Sequence, residues 1–117
     1  MNEIKTEDYQ IIHDQESQII TFSGVLCLGS GAYQPIDDLL SQAAAQKMDR
    51  IILDLRDLSL LNSAGINTLT RFLIRVRDQK SGSVMVRGNQ AFDWQRKSLR
   101  NFQRLMGDMP FDLDWSE

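Results

Sequence analysis

Cysteine occurs once in the 117 residues, at Cys27, and histidine once, at His13. That scarcity excludes an intramolecular disulfide and leaves no cluster of soft ligands for a metal centre. It fits a reducing compartment, so a cytoplasmic location is expected. Only two prolines are present, Pro35 and Pro110, and no linker, low-complexity tract or fixed-period repeat divides the chain. Long apolar runs are missing too. Nothing approaches the ~18 consecutive residues of a membrane span, and the polar, acidic start MNEIKTEDYQ has neither the basic head nor the apolar centre of a secretory signal. Positive charge is not in excess: 16 acidic residues against 13 basic ones leave a formal net charge of -3. Nothing global draws such a chain to nucleic acid or to an anionic membrane surface, and proteins or small molecules are the partners to expect.

What is present is enough apolar material, 42% of residues, to build one modest core. Residues 1–117 therefore read as a single domain. Tyr9 to His13 is a short β-favouring run; after a polar turn, Gln18 to Leu28 carries Ile19, Ile20, Phe22, Val25 and Leu26, and the two read as paired strands. Gly29, Ser30 and Gly31 read as a flexible connection. Pro35 stands where a helix can start, and Ile36, Leu39, Leu40 and Ala43 recur at helical spacing to about Gln46. Ile51 to Leu55 is β-branched and almost continuously apolar, the pattern of a central strand covered on both faces. From Ala64 to about Lys80, Ile66, Leu69, Leu73 and Val76 form an apolar stripe, with Asn67, Arg71, Arg75 and Asp78 on another side. Ser83 to Gly88 reads as a strand, Phe92 to about Gly107 as a last helix, and the tail FDLDWSE has room for a short edge strand. This order predicts an α/β domain: a mixed, mostly parallel β-sheet packed with about three to four helices and joined by right-handed crossovers.

Within that order, the segment DLRDLSLLNSAGINTL resembles the STAS family, the domain of bacterial anti-sigma factor antagonists and of sulfate transporter tails. The likeness covers nearly the whole chain. In that family a buried strand ends in Asp-Leu, a short loop follows, and an Asp-Ser-Ser-Gly-type turn opens the helix presented to a partner kinase. Asp54-Leu55 and Asn62-Ser63-Ala64-Gly65 fall in those places here. The resemblance implies a noncatalytic regulatory module in signal transduction and transcription control, without a cofactor, that binds a kinase-type anti-sigma factor or a related regulator. It also implies a partner surface comprising Asn62, Ser63, Ala64, Gly65, Asn67, Thr68 and Arg71. In the antagonists the second Ser of the turn receives a phosphate; its place is held by Ala64, which has no hydroxyl, while the turn's Asp is replaced by Asn62. Ser63 keeps a hydroxyl one position earlier and is the candidate phosphorylation site, with Ser59, Thr68 and Thr70 as further hydroxyls.

Read from the residues alone, Asn62 and Ser63 are good helix caps, because either side chain can accept a hydrogen bond from an unpaired amide of the first turn. A phosphate there would suit the helix dipole. Enzyme chemistry is not expected, since a nucleophilic serine needs a base and nothing brings His13 to Ser63. Gly29-Ser30-Gly31 lacks the Lys-Ser/Thr ending of a phosphate loop. Asp54 at a strand end and Asp57 in a loop read as solvated or backbone-bonded. Arg96, Lys97, Arg100 and Arg104 crowd the last helix, and Arg71, Arg75, Arg77 and Lys80 the one before it. Such residues are either a solvated face or an electropositive patch that steers an acidic partner. Phe72 and Trp94 are core residues or interface anchors. Rival functions are a small-ligand sensor and a scaffold subunit of a signalling complex.

Overall fold

Strand follows strand in space in the order of the chain. The computed structural model describes residues 2–46, 49–79 and 82–116. Within them β1 (Asn2–Lys5), β2 (Tyr9–Asp14), β3 (Ile19–Leu26), β4 (Arg50–Leu61), β5 (Ser83–Asn89) and β6 (Phe111–Ser116) form one sheet in that sequence. The first two pairings are antiparallel, with Ile4 opposite Ile11 and Ile11 opposite Phe22. The other three are parallel, and each needs a helical crossover: α1 (Gln34–Ala45), α2 (Ser63–Gln79) and α3 (Asp93–Met106). Right-handed crossovers that all step in one direction put their helices on one face of the sheet. There α2 lies between α1 and α3 and packs on both.

Ile51 to Leu55, expected as a central strand covered on both faces, is central and buried throughout, although the helices lie on one face. Along β5 the residues alternate between buried and half-buried, with Val84 and Val86 in the core and Met85 and Arg87 on the uncovered side. On β4 all of Ile51 to Leu55 are buried because the strand is central. Leu53 and Leu55 belong to the core cluster, while Ile52 and Asp54 alternate with them on the other face, Asp54 held by Arg56 of its own strand. Continuous apolarity here reports a central place in the sheet rather than a second layer.

One correction concerns length. β4 does not end at Leu55 but runs to Leu61, and its register against β3 shifts between Thr21 and Ser23 and again between Gly24 and Val25. Each shift inserts an extra β4 residue, a bulge that breaks the two-residue period. Leu58 and Leu61 are thereby both buried while Ser59 and Leu60 are exposed. Asp57, expected in a loop, belongs to this strand. Two further differences are small. β1 has Ile4 as its single large apolar residue and carries no strand pattern; of Gly29-Ser30-Gly31, expected as a flexible connection, the last two residues open a 3-10 turn, Ser30–Tyr33, that leads directly into α1. The remaining elements fall within a few residues of expectation; Lys80 lies outside the described residues.

Phe22, Leu40, Leu53, Leu69, Phe72 and Leu73 are among the largest fully buried side chains, each stabilising the fold by roughly 1.5–3 kcal/mol through removal from water. Phe72 is thus core and not an interface anchor. No helix among the described residues is long and apolar enough to cross a membrane.

Candidate functional site

Where Leu61 leaves the sheet, Asn62 turns the chain into α2. Its Oδ1 accepts the Gly65 amide at 3.0 Å, which satisfies a helix-start donor, while its own carbonyl accepts the Ile66 amide at 2.9 Å as the first intrahelical bond. The same side chain reaches sideways. Nδ2 donates to the Leu28 carbonyl at 2.8 Å, and the Tyr33 hydroxyl lies 2.6 Å from Oδ1. Tyr33 also contacts the Leu26 carbonyl at 3.2 Å and the Leu28 amide at 3.4 Å, and burial pushes its phenol pKa up, so it keeps the proton it donates. A Cβ at Gly65 would stand 2.3 Å from Leu61 Cδ1 and 2.8 Å from Tyr33 Oη. Glycine is what lets the first turn sit this close to the strand end and the tyrosine.

This frame separates residues that the sequence could not tell apart. Asn62 alone is the cap. Ser63, expected to share that role, is the first helical residue, exposed, with a hydroxyl that makes no hydrogen bond to any described residue. Ala64 is half-buried and Gly65 buried. Thr68 is 2% exposed; its hydroxyl donates to the Ala64 carbonyl and receives Arg71, so it cannot meet a partner directly. Thr70 bonds back to the Ile66 carbonyl, and Ser59 donates to the Gly24 carbonyl. Asn67 is exposed one turn after Ser63. Arg71, expected in the partner surface, is drawn toward α1, with Nε 3.7 Å from Asp37, which Arg75 also approaches at 3.5 Å. Of the hydroxyls raised from sequence, Ser63 alone is exposed and unbonded.

Two further residues at the site carry no mark of exposure in the sequence. Val25 and Leu60 are directly paired across β3 and β4, at 43% and 49% exposure, one residue before Leu26 and Leu61, which are buried. They form an apolar knuckle on the strand ends that lead into the turn. No periodicity could have marked them, because the bulges decide which leucines of Leu58-Ser59-Leu60-Leu61 turn outward. The opposite edge of β4 runs beyond the end of β5 and is braced by side chains. Trp94 Nε1 donates to the Leu58 carbonyl at 3.0 Å. Buried Gln95 donates to Leu55 and Leu58 at 2.7 and 3.1 Å and accepts the Asn89 amide at 2.8 Å. Trp94 therefore braces the strand.

Among the described residues no base is brought to the Ser63 hydroxyl. His13 is fully buried opposite Ile20, whose parallel neighbour Leu53 precedes Leu61 by eight residues, a separation of roughly 25 Å at strand rise. Its ring nitrogens have no hydrogen-bond partner among the described residues, and burial lowers its pKa below 6.5. No base reaches Ser63 from there. On the uncovered sheet face, burial pushes the Asp54 carboxyl up, but two hydrogen bonds from the Arg56 side chain at 2.8 and 2.9 Å, one from its amide and the charge of Arg87 outweigh it and hold the pKa low. Among the described residues no three His, Cys, Asp or Glu gather as metal ligands. At the far end of α2 a cleft of about 520 Å3 is lined by Arg77, Leu105, Met106, Met109 and Pro110, among others.

No protein-family model and no curated protein sequence matches the chain. Solved structures do. SiaC of Pseudomonas aeruginosa matches with a TM-score of 0.68 at 15% identity over 99% of this chain and 100% of that one. The apo form of SiaC gives 0.68 at 16% identity over 97% and 99%. A chain from the crystal structure of diguanylate cyclase SiaD in complex with its activator SiaC, also from P. aeruginosa, gives 0.73 at 15% identity over 99% and 100%. At such identities the likeness establishes architecture: a single α/β domain with a six-stranded, mostly parallel sheet and three helices, in the fold of SiaC.

Proposed function

We propose that the chain is a noncatalytic regulatory module that binds another protein through the start of α2 and the strand ends beside it, with modification of Ser63 controlling that binding. One observation carries this reading: a turn braced by Asn62, Tyr33 and Gly65 presents a single exposed, unbonded hydroxyl next to the apolar pair Val25 and Leu60. A phosphate on Ser63 would add about −1.5 to −2 charge. The helix dipole favours that charge, so the fold would survive while the surface changed sign. The fold is also that of a known protein activator, SiaC acting on diguanylate cyclase SiaD. The STAS resemblance supports a kinase-type anti-sigma factor as partner, and the SiaC likeness supports a signalling enzyme. The two share a regulatory target controlled by contact. Ala64 moves the phosphoacceptor from the family's position to Ser63.

The test is capture of partners from the native cell by the purified protein, with intact-mass analysis of the bait. Wild type should retain a specific partner, and Ser63→Asp and Leu60→Asp should each lose it while keeping the native amide spectrum. Retention equal to wild type by both variants places the interface elsewhere. The cleft beside Arg77 supports a second reading, small-ligand sensing; a metabolite held through native mass spectrometry and released by Met109→Trp, at a half-buried position of the lining, would establish it.

A further inference from the structure

Although the chain is acidic overall, α3 is not. It carries Arg96, Lys97, Arg100 and Arg104 against Asp93. Asp93 pairs with Arg96, and Lys97, Arg100 and Arg104, all exposed, have no acidic side chain within ion-pair distance among the described residues. They recur at intervals of three and four and so share one face of the helix. The basic residues of α2 are engaged otherwise: Arg71 and Arg75 approach Asp37, and Arg77 donates to the Leu105 carbonyl at 3.1 Å. Helix electrostatics do not account for the stripe. Arg104 in the last turn suits the dipole, but Lys97 and Arg100 stand beyond the first and last turns, where the dipole has little effect.

The stripe borders a depression. A hollow of about 370 Å3 along Arg96, Lys97, Arg100 and Arg104 shares Asn101 with a second hollow of about 220 Å3 between α2 and α3, floored by Ile66, Phe102 and Leu105. Ile66 and Thr70 follow Ser63 by three and seven residues, so the second hollow lies on the flank of α2 that begins at Ser63.

We infer that this groove, with its apolar floor and cationic rim, docks an acidic amphipathic segment of the partner protein. The inference rests on the protein-binding reading and supplies the chemistry of the partner. Charge complementarity decides the occupant. Three unpaired cations on an acidic molecule select carboxylates, and the half-buried Ile66 and Leu105 offer contacts to an apolar side chain. A lipid surface fits less well, because Leu99, Phe102 and Met106, the apolar face of α3, are buried in the core and unable to insert. A phosphate on Ser63 would place negative charge at the head of the same groove, which links the modification to loss of an acidic ligand.

Random peptides displayed on phage, selected on the full chain at low salt, test this. The enriched peptides should be rich in Asp and Glu with apolar residues at helical spacing, and should shift the amide resonances of Ile66 and Asn101. Their affinity should fall with rising salt and drop about tenfold or more in the Lys97→Glu/Arg100→Glu/Arg104→Glu variant. The neutral Lys97→Gln/Arg100→Gln/Arg104→Gln variant should show an intermediate loss, and serves alone if the reversed protein does not fold. An enriched pool without acidic bias, affinity unchanged in the folded variants, or a stripe-dependent affinity for phosphatidylserine vesicles in place of peptides overturns the inference. If it fails while Ser63→Asp still abolishes partner capture, the functional proposal stands without it; if neither site affects capture, both fall.

Discussion

Replacing Asn62 with Ala removes three hydrogen bonds at once: the acceptor of the Gly65 amide at 3.0 Å, the donor to Leu28 at 2.8 Å and the partner of Tyr33 at 2.6 Å. Loss of an Asn cap alone costs about 0.5–2 kcal/mol. The Leu28 carbonyl loses a partner worth about 1 kcal/mol net. Tyr33 costs less, because its hydroxyl can turn to the Leu26 carbonyl at 3.2 Å. The expected total is roughly 2–3 kcal/mol, read as a fall of about 1–2 M in the urea midpoint. Asn62→Asp keeps the cap and the Tyr33 acceptor but loses the Leu28 donor, so its loss should fall between wild type and Asn62→Ala. Ser63→Ala, at an exposed side chain without a hydrogen bond, should change stability by no more than about 0.5 kcal/mol. Equilibrium urea denaturation followed by far-UV circular dichroism ranks the three. A Ser63→Ala loss matching that of Asn62→Ala, or an Asn62→Ala loss below about 0.5 kcal/mol, would refute the assignment of cap and free hydroxyl.

Other expectations follow from the same geometry. Gly65→Ala must move Leu61 or Tyr33 and should destabilise by about 1–3 kcal/mol in chemical denaturation. Gln95→Leu strands the Leu55 carbonyl and the Asn89 amide and should cost about 2–4 kcal/mol, whereas Gln103→Leu at an exposed position of the same helix should stay near wild type. The folded-state pKa of His13 lies below 6.5, so the unfolded chain takes up the proton first. Stability from this group is complete above that value and declines as the pH falls below it. Denaturation midpoints measured from pH 7.5 down to about 5 should show the decline in wild type, and His13→Leu should flatten it.

Much of this architecture could be read from periodicity, because its helices are amphipathic and its core strands are short apolar runs. Ile66, Leu69, Leu73 and Val76 announced α2, and Val84 and Val86 announced β5. The misreadings have physical causes. β1 has one apolar residue in four, since an edge strand buries little. The second half of β4 was invisible because its bulges depend on the register of β3, a contact distant in sequence. At the candidate site, Asn62 and Ser63 are equally good caps by residue type; what separates them is the reach of Tyr33, 29 positions earlier. Likewise Thr68 and Ser63 differ only in where α2 meets its neighbours. Sequence located the turn, and long-range packing decided which hydroxyl it shows.

A sheet whose spatial order copies its chain order also has a direction of growth. Synthesis delivers the N-terminal part of a chain first, so the β1–β2–β3 meander can pair before the residues of β4 exist. Each later strand then finds its docking edge already made: Leu53 meets Ile20, Val86 meets Leu53, and Leu113 meets Val86 in turn. No strand has to be inserted between two finished ones. At every stage a single edge awaits its partner, and the last to be covered is β5, open until Phe111–Ser116 emerges.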